Sequence, residues 1–99
     1  MADQGPGVAT YWSAGRTAEA IAIGEQVVAD RERLLGPDHP DTVTARANLA
    51  TSYWSAGRTA EAIALLEQVV ADCERLLGPD HPDTAVVRNA LQAWKDAEK

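Results

Sequence analysis

Two stretches of this chain, 42 residues apart, are almost the same: YWSAGRTAEAIAIGEQVVADRERLLGPDHPDT at 11–42 and YWSAGRTAEAIALLEQVVADCERLLGPDHPDT at 53–84. Of the 32 aligned positions only three differ, Ile23 with Leu65, Gly24 with Leu66 and Arg31 with Cys73, which leaves 29 identical. Chance does not produce this. Self-similarity at a fixed period marks a repeat array, in which each unit is too small to bury its own apolar face and leans on its neighbours.

Punctuation divides the unit. Gly36-Pro37-Asp38-His39-Pro40 returns as Gly78-Pro79-Asp80-His81-Pro82, a cluster that breaks any helix, and Gly15 and Gly57 mark a second, tighter turn. Between the marks the spacing is helical. In Thr59–Leu77, apolar Ala62, Ile63, Leu66, Val69, Val70, Cys73, Leu76 and Leu77 recur at threes and fours, with charged residues between them. Thr59 is placed to cap the start, and Gly78 to end the helix in a conformation that side chains disfavour. Pro40 suits the first turn of the next segment, where its missing N–H is no loss, and Asp38 and Asp41 supply capping carboxylates. The short link Ala56-Gly57-Arg58 makes its flanking helices antiparallel neighbours.

The expected layout is all-α: an antiparallel helix-pair array of about two 42-residue repeats with a C-terminal capping helix. Residues 1–7 read as a leader outside the repeat. The array then covers 8–99, with a truncated first repeat at 8–35, a second at 38–77 and a terminal helix at 80–97. Five helical segments are expected: a stub over 8–14, then 17–35, 40–56, 59–77 and 82–97.

Composition narrows the function. The net charge of −6 opposes nucleic-acid binding and an anionic membrane surface, both of which need basic patches. The single cysteine, Cys73, forms no intrachain disulfide, which suits a reducing, cytoplasmic compartment. The first residues lack the basic-then-apolar pattern of a signal peptide. No Gly-rich phosphate loop, nucleophile elbow or acid/base pair is present, so neither an enzyme nor a cofactor is expected.

Leu49-Ala50, Tyr53, Gly57 and Ala62, with Tyr11, Gly15 and Ala20 in the first repeat, occupy the small and large packing positions of the tetratricopeptide motif, which this chain resembles. The usual unit has 34 residues. The eight extra here, with the loop Leu77–Thr84 and the segment Asn48-Leu49-Ala50, look like the 42-residue repeats of kinesin light chain and its bacterial counterparts. Ala47 departs from that pattern, which usually carries a second Asn there. The resemblance implies a scaffold that binds a peptide or partner protein along a concave face formed by the first helix of each pair, as part of a larger array. Thr44, Ala47, Asn48, Thr51, Trp54 and Ser55, joined by Asn89, would form that face. A structural repeat unit that self-associates without a ligand is the alternative. Thr44, Ala47 and Asn48 stand where peptide-carboxylate clamps of this family carry Lys or Arg, which argues against that specificity.

Trp54 is the expected anchor, a large amphipathic ring with an N–H donor, although it could equally pack on the next repeat. His39 and His81, flanked by Asp38, Asp41, Asp80 and Asp83, read as helix-capping loops and not as a metal site. Cys73 falls on an apolar stripe, where a free thiol behaves as a small hydrophobe. Gly24 sits mid-helix where the other repeat has Leu66, which suggests either an exposed, loosely constrained end or close approach by another helix. Weak end-to-end self-association is expected through Tyr11, Trp12, Ile21, Gly24 and Val28, taken as the stripe left open beside the truncated first helix.

Overall fold

The computed structural model describes residues 6–98, with side chains from Arg16 onward. Four helices account for them: α1 (Pro6–Leu35), α2 (Pro40–Ser55), α3 (Thr59–Leu77) and α4 (Pro82–Ala97). Each packs against the next in the chain, α1 on α2, α2 on α3 and α3 on α4, so the repeats stack side by side into a slab of 52 × 35 × 21 Å. The core lies along α3, where Leu66, Val69, Val70 and Cys73 meet Val43 and Ala50 of α2 on one side and Leu91 of α4 on the other.

The boundaries of α3 and α4 fall where the punctuation places them. The first repeat does not. The expected stub and long helix are one unbroken helix that runs through Gly15, while the identical Ser55-Ala56-Gly57-Arg58-Thr59 reverses the chain. The reversal at Gly57 has φ +79° and is held by Gly57 and Arg58 donating backbone N–H bonds to Trp54 and Tyr53 carbonyls. It is held further by the Arg58 guanidinium lying 4.6 Å from the Tyr53 ring centroid and by the full length of α2 packed on α3. Continuing the helix, as α1 does, closes one hydrogen bond per residue, against a glycine penalty of about 1 kcal/mol.

The caps also differ from expectation. His39 and His81 are themselves the N-caps of α2 and α4, and each Nδ1 accepts the backbone N–H of Asp41 or Asp83 at 3.0 Å. The imidazole therefore does the work expected of the carboxylates. Thr59 is no cap: its hydroxyl donates to Glu98 at 3.0 Å, fastening the start of α3 to the end of α4. Gly36 and Gly78 take φ near +90° after α1 and α3, as their positions require.

The largest feature invisible to the repeat pattern is an ionic chain centred on the buried pair Arg46 and Asp72. Arg46 of α2 donates to Glu32 of α1 at 2.7 Å, to the Pro37 carbonyl at 3.2 Å and to Asp72 of α3 at 3.0 Å. Asp72 also accepts from Arg75, which reaches on to Asp38 at 2.9 Å. One guanidinium thus ties three consecutive helices and the breaker loop together.

Candidate functional site

α2 and α4 are the first helices of successive pairs, and α3 lies behind them. At their N-terminal ends they part around an open cleft of about 510 Å3. Its α2 wall is Pro40, Val43, Thr44 and Ala47; Val69, Cys73, Leu76 and Leu77 of α3 form the floor; Asp83, Val86 and Val87 form the α4 wall. These are spacings of three and four on each helix, which keep one stripe facing inward. Three of the lining side chains are large, apolar and exposed: Leu76, Leu77 and, most of all, Val86 at 65%. At the other end the two helices are joined by Trp54 and Trp94, whose rings stack with centroids 4.8 Å apart and planes within 6°.

The rim is acidic. Asp38 stands at one edge, and the hydrogen bond from Arg75 holds its carboxyl below the usual range. Asp83 stands at the other, in the first turn of α4. Burial pushes the Cys73 thiol up, and the Asp72 and Asp83 carboxylates push the same way, so this floor residue is an inert apolar contact at neutral pH.

The residues expected to form the concave face divide. Thr44 and Ala47 line the cleft, and Thr51 continues their stripe toward the tryptophans. Asn48 and Ser55 are exposed to one side of it, and Asn89 is exposed and does not line it. Trp54 is occupied: it stacks on Trp94 of the next helix pair and does not line the cleft. The exposed apolar residues Leu76, Leu77 and Val86 were not foreseen. The signal for them was present in Leu76-Leu77, a pair of large side chains at a helix end where one face cannot bury both.

The residues expected for self-association lie mostly on the covered side of α1. Ile21 is only 6% exposed and Val28 is half-buried, both facing α2. Gly24 faces it too. A Cβ added there would stand 3.1 Å from Leu49 Cδ1, so this glycine marks close approach by α2 and not a loosely constrained end. The side chains of Tyr11 and Trp12 lie outside the described residues. A two-faced helix explains the misplacement: the apolar stripe that meets the following helix and the one that would meet a preceding helix adjoin, and periodicity alone does not tell which is filled.

Among the described residues no helix is long and apolar enough to cross a membrane. No curated protein matches the chain. The sequence profile of the tetratricopeptide repeat matches residues 8–74. With well over half the chain matched and helix pairs stacked at a fixed period, this protein belongs to the tetratricopeptide repeat family, whose members are scaffolds that mediate protein–protein interaction.

Proposed function

We propose that the chain binds a short segment of a partner protein in the cleft between α2 and α4. The observation that carries this reading is the exposed apolar lining of Leu76, Leu77 and Val86 inside a concave wall, at the helix pair the family uses for recognition. Exposed apolar area of this kind, rimmed by polar groups, marks a binding groove. The partner segment carries a bulky aliphatic or aromatic side chain for the floor. A Lys or Arg nearby meets the carboxylates of Asp38 and Asp83, in keeping with the chain's net charge of −6. Thr44, Ala47 and Thr51 complete the contact along α2, with Asn48, Ser55 and Asn89 as flanking polar groups. Trp54 acts by holding α2 against α4. No catalytic part is assigned.

A random peptide library panned against the chain tests this. Enriched peptides should pair an apolar anchor with a basic residue. Val86→Asp, at a site too exposed to endanger folding, should abolish their binding, and Asn89→Ala should leave it nearly unchanged. Peptides that bind Val86→Asp as well as they bind the parent would place recognition elsewhere.

A further inference from the structure

The cleft opens between two helix starts, and a helix start is ordinarily a place for anions: its first N–H groups lack partners and its dipole presents positive charge. Here both starts are closed. α2 begins with Pro40, which has no N–H. The Asp41 N–H goes to His39 Nδ1 at 3.0 Å, and those of Thr42 and Val43 go to the His39 carbonyl at 2.9 and 3.1 Å. α4 begins with Pro82. The N–H groups of Asp83 and Ala85 are taken by the ring nitrogen and carbonyl of His81, and Thr84 between them is fully buried. In each repeat one histidine thus occupies the donors that a phosphate or carboxylate would use.

Charge points the same way. The cleft is lined by two carboxylates, Asp38 and Asp83, and by no cation. The three arginines that reach the breaker loops are engaged elsewhere. Arg75 is held by Asp38 and Asp72, Arg46 by Glu32 and Asp72 inside the array, and Arg88 by Glu74. The two rim carboxylates are not equivalent. Asp38 shares Arg75 at 2.9 Å, whereas Asp83 has no ion pair among the described residues, and its charge is felt at the Cys73 thiol on the floor. Asp83 is therefore the carboxylate open to a partner's cation.

Building on the function proposed above, we infer that the cleft excludes anions, so that phosphorylation of a serine or threonine beside the partner's apolar anchor releases the partner. A phosphate brings nearly two negative charges and three acceptor oxygens. In this cleft it meets two carboxylates and two helix starts whose donors are taken. To recruit Arg75 it would have to displace Asp38, a carboxylate already in place. An unmodified hydroxyl carries no such penalty, and a Lys or Arg at the same point pairs with Asp83. Control of this kind is opposite in sign to that of arginine-lined readers, which bind only the phosphorylated segment.

Four pools of fluorescein-labelled short peptides test this. Each has Leu fixed at the centre, one neighbouring position fixed as Lys, Ser, phosphoserine or Glu, and the other positions random among uncharged residues. Fluorescence anisotropy with the whole chain should rank the Lys pool above the Ser pool by about two- to fivefold, the worth of an exposed ion pair. The phosphoserine pool should fall below the Ser pool by about tenfold or more, because like charges at an interface oppose binding more strongly, with Glu in between. Asp83→Asn keeps the backbone bond to His81 and should bring the Ser and phosphoserine pools closer, as should salt at about 1 M. Phosphoserine binding as well as Ser, or better, overturns the inference; loss of that binding in Val86→Asp would show that the cleft reading itself survives. A phosphoserine penalty unmoved by both Asp83→Asn and salt is steric and also overturns it. If no pool binds, the inference falls together with the reading it rests on.

Discussion

Arg46 and Arg88 occupy the same position of successive repeats, yet the structure assigns them very different weights. The Arg46 side chain is 5% exposed and bridges Glu32 and Asp72, the latter itself only 13% exposed. Arg88 keeps the bond to Glu74, the counterpart of Glu32, at 2.8 Å, but both partners are 44% exposed and no third helix covers them. Arg46→Ala leaves Asp72 with Arg75 as its one cation and removes the donor from the Pro37 carbonyl, while Glu32, 43% exposed, falls back on water. Removing one partner of a buried pair costs about 3–5 kcal/mol, and the surviving Arg75 bond places this case near 3. An exposed pair is worth about 0–1 kcal/mol, so Arg88→Ala should cost little. At about 4–8 °C per kcal/mol for a domain of this size, Arg46→Ala should lower Tm by roughly 12–24 °C and Arg88→Ala by a few degrees. Thermal and urea unfolding followed by circular dichroism at 222 nm, an ordinary helix band, would measure both. Equal losses in the two variants would refute the reasoning, because burial would then not be what separates them. The double replacement Arg46→Met with Asp72→Leu should recover most of the loss, since it removes the stranded charge along with its partner.

Trp54→Ala should lower stability by about 2 kcal/mol, between the worth of a ring pair and that of a fully buried Trp; urea titration should also show that Trp94→Ala adds less than its own cost on top, since the two share one contact. Gly24→Leu restores the residue of the other repeat but drives a side chain into Leu49, so it should destabilise by about 1–3 kcal/mol in the same assay; a gain in stability would mean α1 and α2 do not approach closely there. The raised pKa of Cys73 leaves little thiolate at neutral pH, so its alkylation by iodoacetamide should be far slower in the folded chain than in urea, and slower still with a peptide in the cleft. Reaction at the unfolded rate would show the floor of the cleft open to water.

The all-helical array, its period and the ends of α3 and α4 were legible because they rest on local chemistry: apolar spacing, Pro at helix starts and Gly after helix ends. What was not legible depends on company. Ser13–Thr17 and Ser55–Thr59 are the same five residues, one within α1 and one reversed, the reversal being accompanied by α2 packed along α3. Trp54 met the requirements of an exposed anchor equally well before Trp94, 40 positions away, was placed against its ring. Arg46 carries no local signal of its partners; the clue to its role is that Arg88 repeats it in a segment that otherwise diverges.

That divergence bears on function. Residues 43–56 and 85–98 keep only two pairs in common, Arg46 with Arg88 and Leu49 with Leu91. These are the residues that seat each helix on the one before it: the arginines reach Glu32 and Glu74, while Leu49 meets Gly24 and Leu91 joins the core around Leu66. The stretch from Tyr53 to Thr84, by contrast, is held nearly unchanged from its copy. Both helices thus share two docking side chains, while Val43, Ala45 and Ala50 of α2 are buried without a matching residue on α4, and the exposed positions of the two helices are the ones free of the array's own packing demands. Thr44, exposed on one cleft wall where α4 has the exposed Val86 on the other, is a difference of this kind. On the proposed reading, the long second helices set the spacing and the short first helices carry the selectivity. Exchanging Val86 for the Thr of its counterpart should therefore alter which peptides bind while leaving the unfolding midpoint almost where it was.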